Sequence, residues 1–269
     1  MDTNTLKNFG PNVAAAWAQA GALVGWLTQS EFGAWEYLTG PNSADSLPVF
    51  LFQKYDIATI ATLLAPSVPF ALCLQNIKLH NADLKKLSGL GNLQNLRALD
   101  LSHTLVDDLG LTALAKFQNL QSVDLGATTL TDEGLKRLAG IKSFRKLYFG
   151  STAVTDAGLK ELAGHGKLHT LYLYGTTVTD EGLEALAGLK SLQTLLLYNT
   201  QVADAGLKAL AGLDNLQILG LLSTMVTDTG LMHLAGLKSL RTLHLSKEKI
   251  TDRGIAALMR IRPDLRILL

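Results

Sequence analysis

The chain has 269 residues, of which 48% are hydrophobic, enough for a packed core and too apolar for a disordered polymer. Its 24 basic and 23 acidic residues leave a formal charge of +1, so neither a nucleic-acid backbone nor an anionic membrane surface is expected as the main partner. Cys73 is the only cysteine, which excludes an internal disulfide and a thiolate metal site and favours a reducing, cytoplasmic setting.

Residues 1–69 follow no period and hold all three tryptophans, Trp17, Trp26 and Trp35. Apolar spacing predicts a helix from about Asn12 to Ala20 and strands near Leu23–Thr28, Ala34–Leu38 and Val49–Phe52. A second helix is expected near Ile57–Leu64. The apolar run from Val13 to Trp26 is too short to insert across a bilayer. Gln19, Gly21 and Gly25 interrupt it, and Asp2 opposes the single Lys7, so it does not read as a signal peptide. Phe70–Leu74 opens a first, irregular repeat, in which Leu84 and Leu111 are equivalent positions. Residues 1–69 therefore read as an α/β cap on the repeat region of residues 70–269.

From there the period is strict. Glycine recurs at every 24th residue from Gly110 to Gly254, aspartate from Asp108 to Asp252 and leucine from Leu114 to Leu258. The unit is T-D-x-G-L-x-x-L-A-G-L-x-x-L-x-x-L-x-L-x-x-T-x-V, as in Thr179–Val202. Its L-x-L pairs, from Leu99/Leu101 to Leu243/Leu245, alternate with period two and predict short strands stacked in parallel. After each Thr-Asp the spacing is helical: Leu135, Leu138 and Ala139 share a face opposite Lys136 and Arg137. Thr131 is the expected N-cap, with Asp132 and Glu133 in the first turn. Gly140 is expected to end the helix in a left-handed conformation, and the Gly134 column to permit close approach of a neighbouring backbone. Helices are wider than the strand spacing, so the strands are expected on a concave side. The last unit shifts by one residue before Ile267-Leu268-Leu269, and its edge is expected to offer a route to a homodimer or to self-assembly.

The repeated T-D-x-G-L-x-x-L-A-G-L with L-x-x-L-x-L resembles bacterial GALA-type leucine-rich repeats, of the ribonuclease-inhibitor-like superfamily, over about Leu72 to Leu269. The resemblance implies an α/β leucine-rich-repeat solenoid, a right-handed horseshoe with a parallel sheet on the concave face and short helices on the convex one. Where many such repeats carry asparagine after the strand, this chain has Thr104, Thr128, Thr152, Thr176, Thr200 and Thr224, whose hydroxyls can still bond the turn. Some GALA-type proteins carry an F-box before the repeats, which implies a ubiquitin-ligase adaptor. Leu47-Pro48 is the one hint of it, but the run that follows is β-like and no helical-bundle pattern succeeds it.

Function is expected in the variable positions of the concave face. Between the strand leucines the column reads Asp100, Asp124, Tyr148, Tyr172, Leu196, Gly220, His244, and two residues on it reads Ser102, Gly126, Gly150, Tyr174, Tyr198, Leu222, Ser246. Four of the six tyrosines thus share one surface with Leu196 and Leu222, a pattern of recognition surfaces for a protein or peptide partner. The alternative is that stacked side chains only stabilise neighbouring strands. Seven strands at about 4.8 Å give an open face roughly 34 Å long, better suited to a protein than to an enclosed small molecule. Asp100 and Asp124, with His103 nearby, are the sole candidates for catalysis or cation binding, and two solvated acids facing a basic partner explain them more simply. The other histidines do not converge, and no nucleotide, nucleophile-elbow or zinc motif is present, so no enzyme and no cofactor is expected.

Overall fold

The computed structural model describes residues 11–30, 35–41, 46–54 and 56–269, in two compact units, Met1–Thr128 and Thr129–Leu269. The first unit begins with helix α1 (Pro11–Gln19), strands β1 (Ala22–Gln29), β2 (Trp35–Leu38) and β3 (Leu47–Phe52), and helix α2 (Ile57–Thr62). Strand β4 (Phe70–Cys73), helix α3 (Asn81–Leu87), β5 (Leu96–Asp100) and β6 (Ser122–Asp124) complete it. The elements expected before residue 75 are present within a residue or two, while Ala34 lies outside the described residues. Strand order is β2-β1-β3-β4-β5-β6. β1 runs antiparallel to both its neighbours, and from β3 onward the pairs are parallel.

The apolar run at the start divides between α1 and β1. Gly21, at φ 94, is what lets the chain reverse between them, a conformation costly for any side-chain-bearing residue. On one side of the sheet Trp17 of α1 stacks on Phe50 at 4.2 Å and meets Phe52 and Phe70, all fully or nearly fully buried. Helix α2 is capped by Asp56, whose carboxylate accepts from Ala58 and Thr59 N–H. It stops before Leu64 because Leu63 is extended; the carbonyls of Leu63 and Leu64 accept instead from Asn92 and the Trp17 indole. Leu47-Pro48 opens β3, where Pro48 pairs with Trp26, so the segment is strand and not the start of an F-box helix. Among the described residues no helix is long and apolar enough to cross a membrane.

The second unit alternates α4 (Asp132–Leu138), β7 (Lys146–Tyr148), α5 (Asp156–Lys160), β8 (Thr170–Tyr172), α6 (Asp180–Leu186) and β9 (Thr194–Leu196). It continues with α7 (Asp204–Ala209), β10 (Ile218–Gly220), α8 (Asp228–Leu231), β11 (Thr242–His244), α9 (Asp252–Ile261) and β12 (Arg266–Leu268). Every strand pairs with the residue 24 later: Leu147 with Leu171, then Leu195, Leu219, Leu243 and Ile267. Leu147, Leu171, Leu195, Leu219, Leu243 and Phe149 are fully buried, each such side chain contributing about 1.5–3 kcal/mol. The expected one-residue shift leaves this register intact. It is absorbed by α9, ten residues long, and by Arg262, whose buried guanidinium donates to the Leu237 and Leu240 carbonyls and to Asp264.

The aspartate, glycine and threonine columns are one device. Asp132 Oδ1 accepts the Thr155 N–H (2.8 Å) and Oδ2 the Thr155 hydroxyl (2.7 Å), while that hydroxyl accepts from Ala157 N–H at the start of α5. The pattern repeats at Asp156–Thr179, Asp204–Thr227 and Asp228–Thr251. A Cβ on Gly158, Gly182, Gly206, Gly230 or Gly254 would collide with Oδ1 of the preceding unit's aspartate. The glycine therefore makes room for a carboxylate rather than for backbone alone. Ala203 breaks the pattern: its N–H still reaches Asp180, but α7 has no side-chain cap.

The left-handed residue lies elsewhere than expected. Gly140 keeps an ordinary φ, and α4 ends through the Ala139 N–H to the Leu135 and Lys136 carbonyls. Positive φ falls instead after the six strands β5 to β10, at His103, Ala127, Ser151, Gly175, Asn199 and Ser223, with φ between 52 and 64. The next residue is always the column threonine, buried, its hydroxyl donating to the carbonyl three residues back at 2.6–2.8 Å. That bond fixes the turn which redirects each strand.

Candidate recognition face

Residues alternating with the buried leucines lie on the sheet face away from the helices. In the second unit this face covers itself. Tyr148, Leu196 and His244 are only 3–4% exposed, although they point off the helix side. The Tyr148 and Tyr172 rings meet edge-on with centroids 4.7 Å apart. The Tyr174 ring lies 3.6 Å from where a Gly150 Cβ would stand. Tyr198 crosses the intervening strand to hydrogen-bond its hydroxyl to His244 Nδ1, and the two rings stack at 5.7 Å. A Cβ on Gly220 would strike the Tyr198 ring and come within 2.7 Å of Leu196. Burial pushes the Tyr198 phenol up to about 12, so it stays protonated. Glycine thus occupies the two positions where a neighbouring ring needs the space. What this face leaves for another molecule is Tyr174, 49% exposed, with Tyr172, Tyr198 and Leu222 half-buried around it.

The first unit covers the helix-free side of its own strands with residues of β1, β2 and β3. Leu27, Val49, Ala71, Cys73 and Ala98 are buried there, with Trp35, Tyr37, Leu47 and Leu51 packed against them. Tyr37, on β2, donates to Asp100 Oδ2 at 2.5 Å, and the buried Cys73 thiol donates to the same oxygen at 3.5 Å. Asp100 Oδ1 accepts from the Ser102 N–H and hydroxyl. Burial and the Asp100 carboxylate push the Tyr37 phenol and the Cys73 thiol far above their ordinary values, so both act as proton donors here. Asp100, 3% exposed, is therefore not an open acid awaiting a basic partner. Asp124, paired with it across β5–β6, is half-buried; burial and the neighbouring Asp100 push its carboxyl up to about 7, against a backbone bond from Gly126 that lowers it.

The third member of the candidate catalytic group, His103, sits exposed in the left-handed turn after β5. Asp100 and Asp124 are adjacent, but the structure does not bring His103 and Asp100 into one accessible cleft. Among the described residues no group of three or more His, Cys, Asp or Glu side chains could hold a metal ion. His165, in a column of leucines, is buried against Phe144 with Nδ1 near the Leu162 carbonyl, and burial together with Lys142 lowers its pKa. Tyr37 and Cys73 were missed because only the fold brings them to Asp100; Gly150 and Gly220 were the available signal of the rings lying across them.

In the second unit short helices alternate with strands in a 24-residue register. The sequence model described as Leucine Rich repeat matches residues 92–115, 118–139, 167–187 and 236–259. The chain has the leucine-rich-repeat fold. Internalin C2 of Listeria monocytogenes is similar in structure, with 25% identity and a TM-score of 0.60, over 99% of this chain and 96% of that one. A second internalin of that organism, internalin F, gives 22% identity and a TM-score of 0.59 over 79% of this chain. A leucine-rich-repeat protein of Leptospira interrogans gives 19% and 0.55 over 81%. The chain spans 55% of the internalin F structure and 58% of the Leptospira one. No curated protein matches the sequence significantly.

Proposed function

We propose that the protein is a non-catalytic interaction module that binds a protein or peptide on the helix-free face of its second unit. One observation carries the reading: Tyr174 stands half exposed among Tyr172, Tyr198 and Leu222, on a floor formed by Tyr148 and Leu196. A rigid floor with accessible rings above it offers apolar contact area at little conformational cost, as at interface hot spots. Tyr148 and Leu196 serve this surface by holding the others in place, and Asp100 serves the Tyr37–Cys73 hydrogen-bond cluster of the first unit. The GALA-type subclass rests on the T-D-x-G-L-x-x-L-A-G-L consensus.

The test is affinity capture with the full chain, followed by titration of the recovered partner against a variant carrying Tyr174→Ala and Leu222→Ala. Binding should weaken about tenfold or more while thermal unfolding is unchanged, and Lys208→Ala on a helix should have no effect. Equal affinity for both variants would remove this face as the site.

A further inference from the structure

One place in the repeat is filled by Ile141, His165, Leu189, Leu213 and Leu237 in successive units. The three leucines are at most 1% exposed, and so is His165, the one ionisable side chain among them. Its ring stacks on Phe144 with centroids 6.3 Å apart, and Nδ1 lies 3.3 Å from the Leu162 carbonyl. Nε2 is buried and has no hydrogen-bond partner among the described residues. A neutral imidazole that gives its Nδ1 proton to Leu162 fits this place. A second proton would put an N–H at Nε2 with no acceptor, and a charge out of reach of water.

The charges around the ring oppose that second proton. The Lys142 Nζ of the preceding unit lies 2.5 Å from where a Gly164 Cβ would stand, so a protonated ring would face another cation. Glu161 and Lys167 are the charged residues of its own segment, and Lys190 of the next unit donates to the Gly212 carbonyl. Burial first, then Lys142, hold the imidazole below its ordinary 6.5; the carbonyls of Leu162, Leu138 and Ile141 act the other way and are outweighed. The backbone here is also easily released. Helix α5 stops at Lys160, whereas α4 and α6 continue to Leu138 and Leu186, the counterparts of Leu162. Gly164 and Gly166 flank the histidine, and glycine regains the most conformational freedom on opening.

We propose that His165 is an acid-sensitive latch of the second unit: its protonation releases residues 161–168 from the core while the neighbouring repeats stay folded. The released imidazole takes a proton near its ordinary value, the buried one only at lower pH. The latch is therefore closed above about pH 7 and weakens as pH falls through the ordinary value towards the buried one. Its action does not depend on what the tyrosine face binds.

The experiment is hydrogen exchange of the full chain at about pH 7.5 and about pH 5, with rates corrected for the intrinsic effect of pH. The His165 and Leu168 amides, bonded to the Leu162 and His165 carbonyls at 2.9 Å, are compared with those of Leu189 and Leu192, bonded in the same way one unit later. Protection of the first pair should fall about tenfold or more at the lower pH, and that of the second pair should change less than about twofold. His165→Leu restores the repeat residue, and His165→Gln keeps a buried polar group that cannot titrate. Both should abolish the fall, and His165→Leu alone should raise protection at the higher pH. Equal falls at the two pairs of amides would overturn a local latch. A fall that survives in His165→Leu would overturn His165 as its trigger. If His165→Gln does not fold, the pH dependence of His165→Leu alone decides.

Discussion

The two units solve one problem in opposite ways. A sheet with helices on one side must cover its other side or leave it to solvent. In the first unit the face residues are small, Ala71, Cys73 and Ala98, and the cap supplies the cover through Trp35 and Tyr37. In the second the face residues are large and cover one another, with Gly150 and Gly220 as the spaces into which Tyr174 and Tyr198 lean. The first solution buries polar groups and fixes them with hydrogen bonds, and nothing of Asp100 remains for a partner. The second leaves an aromatic surface that is supported from below yet accessible. The difference teaches that position on the face is not enough: accessibility is decided by what the neighbouring strands carry.

The sharpest way to break the comparison is to remove the floor. Tyr148→Ala should cost about 3–5 kcal/mol in urea unfolding, whereas Tyr174→Ala, on the same face, should stay within about 0.5 kcal/mol. Equal effects would mean that floor and surface are not distinct. In the first unit Tyr37→Phe leaves Asp100 short of a donor and should cost about 1–3 kcal/mol.

Asp124 gives a pH signature of the closed face. Its carboxyl holds a proton up to about 7 in the fold but only to about 3.8 in the unfolded chain, so its contribution is full below pH 4 and is lost as pH rises towards 7. Asp124→Asn should therefore raise stability at pH 8 by on the order of 2 kcal/mol and change it little at pH 4. A pH-independent difference would contradict the burial beside Asp100. Smaller still, Ala203→Thr restores the hydroxyl that Asp180 and α7 lack and should stabilise by about 1 kcal/mol, read as a higher Tm. Ala127→Gly relieves a left-handed alanine at φ 52 and should add about 0.5–1 kcal/mol.

Much of the fold was legible because a 24-residue period is a statement about contacts: residue i pairs with i+24 throughout the second unit, as Leu147, Leu171 and Leu195 show. The same columns also showed that Asp and Gly belong to the unit, though not that Asp132 of one unit fills the space above Gly158 of the next. What periodicity cannot report is any contact that the period does not contain. Tyr37 reaches Asp100 from 63 residues away in a non-repeating hairpin, and Tyr198 skips a strand to meet His244.

The central claim is that the second unit presents the recognition surface and the first does not. Its most direct measurement is the affinity of one captured partner for two variants, Tyr174→Ala with Leu222→Ala in the second unit and Trp35→Ala in the cap. The account predicts a loss of about tenfold or more for the first and unchanged affinity for the second, once both are shown to be folded. A loss confined to Trp35→Ala would contradict it and move the site to the first unit.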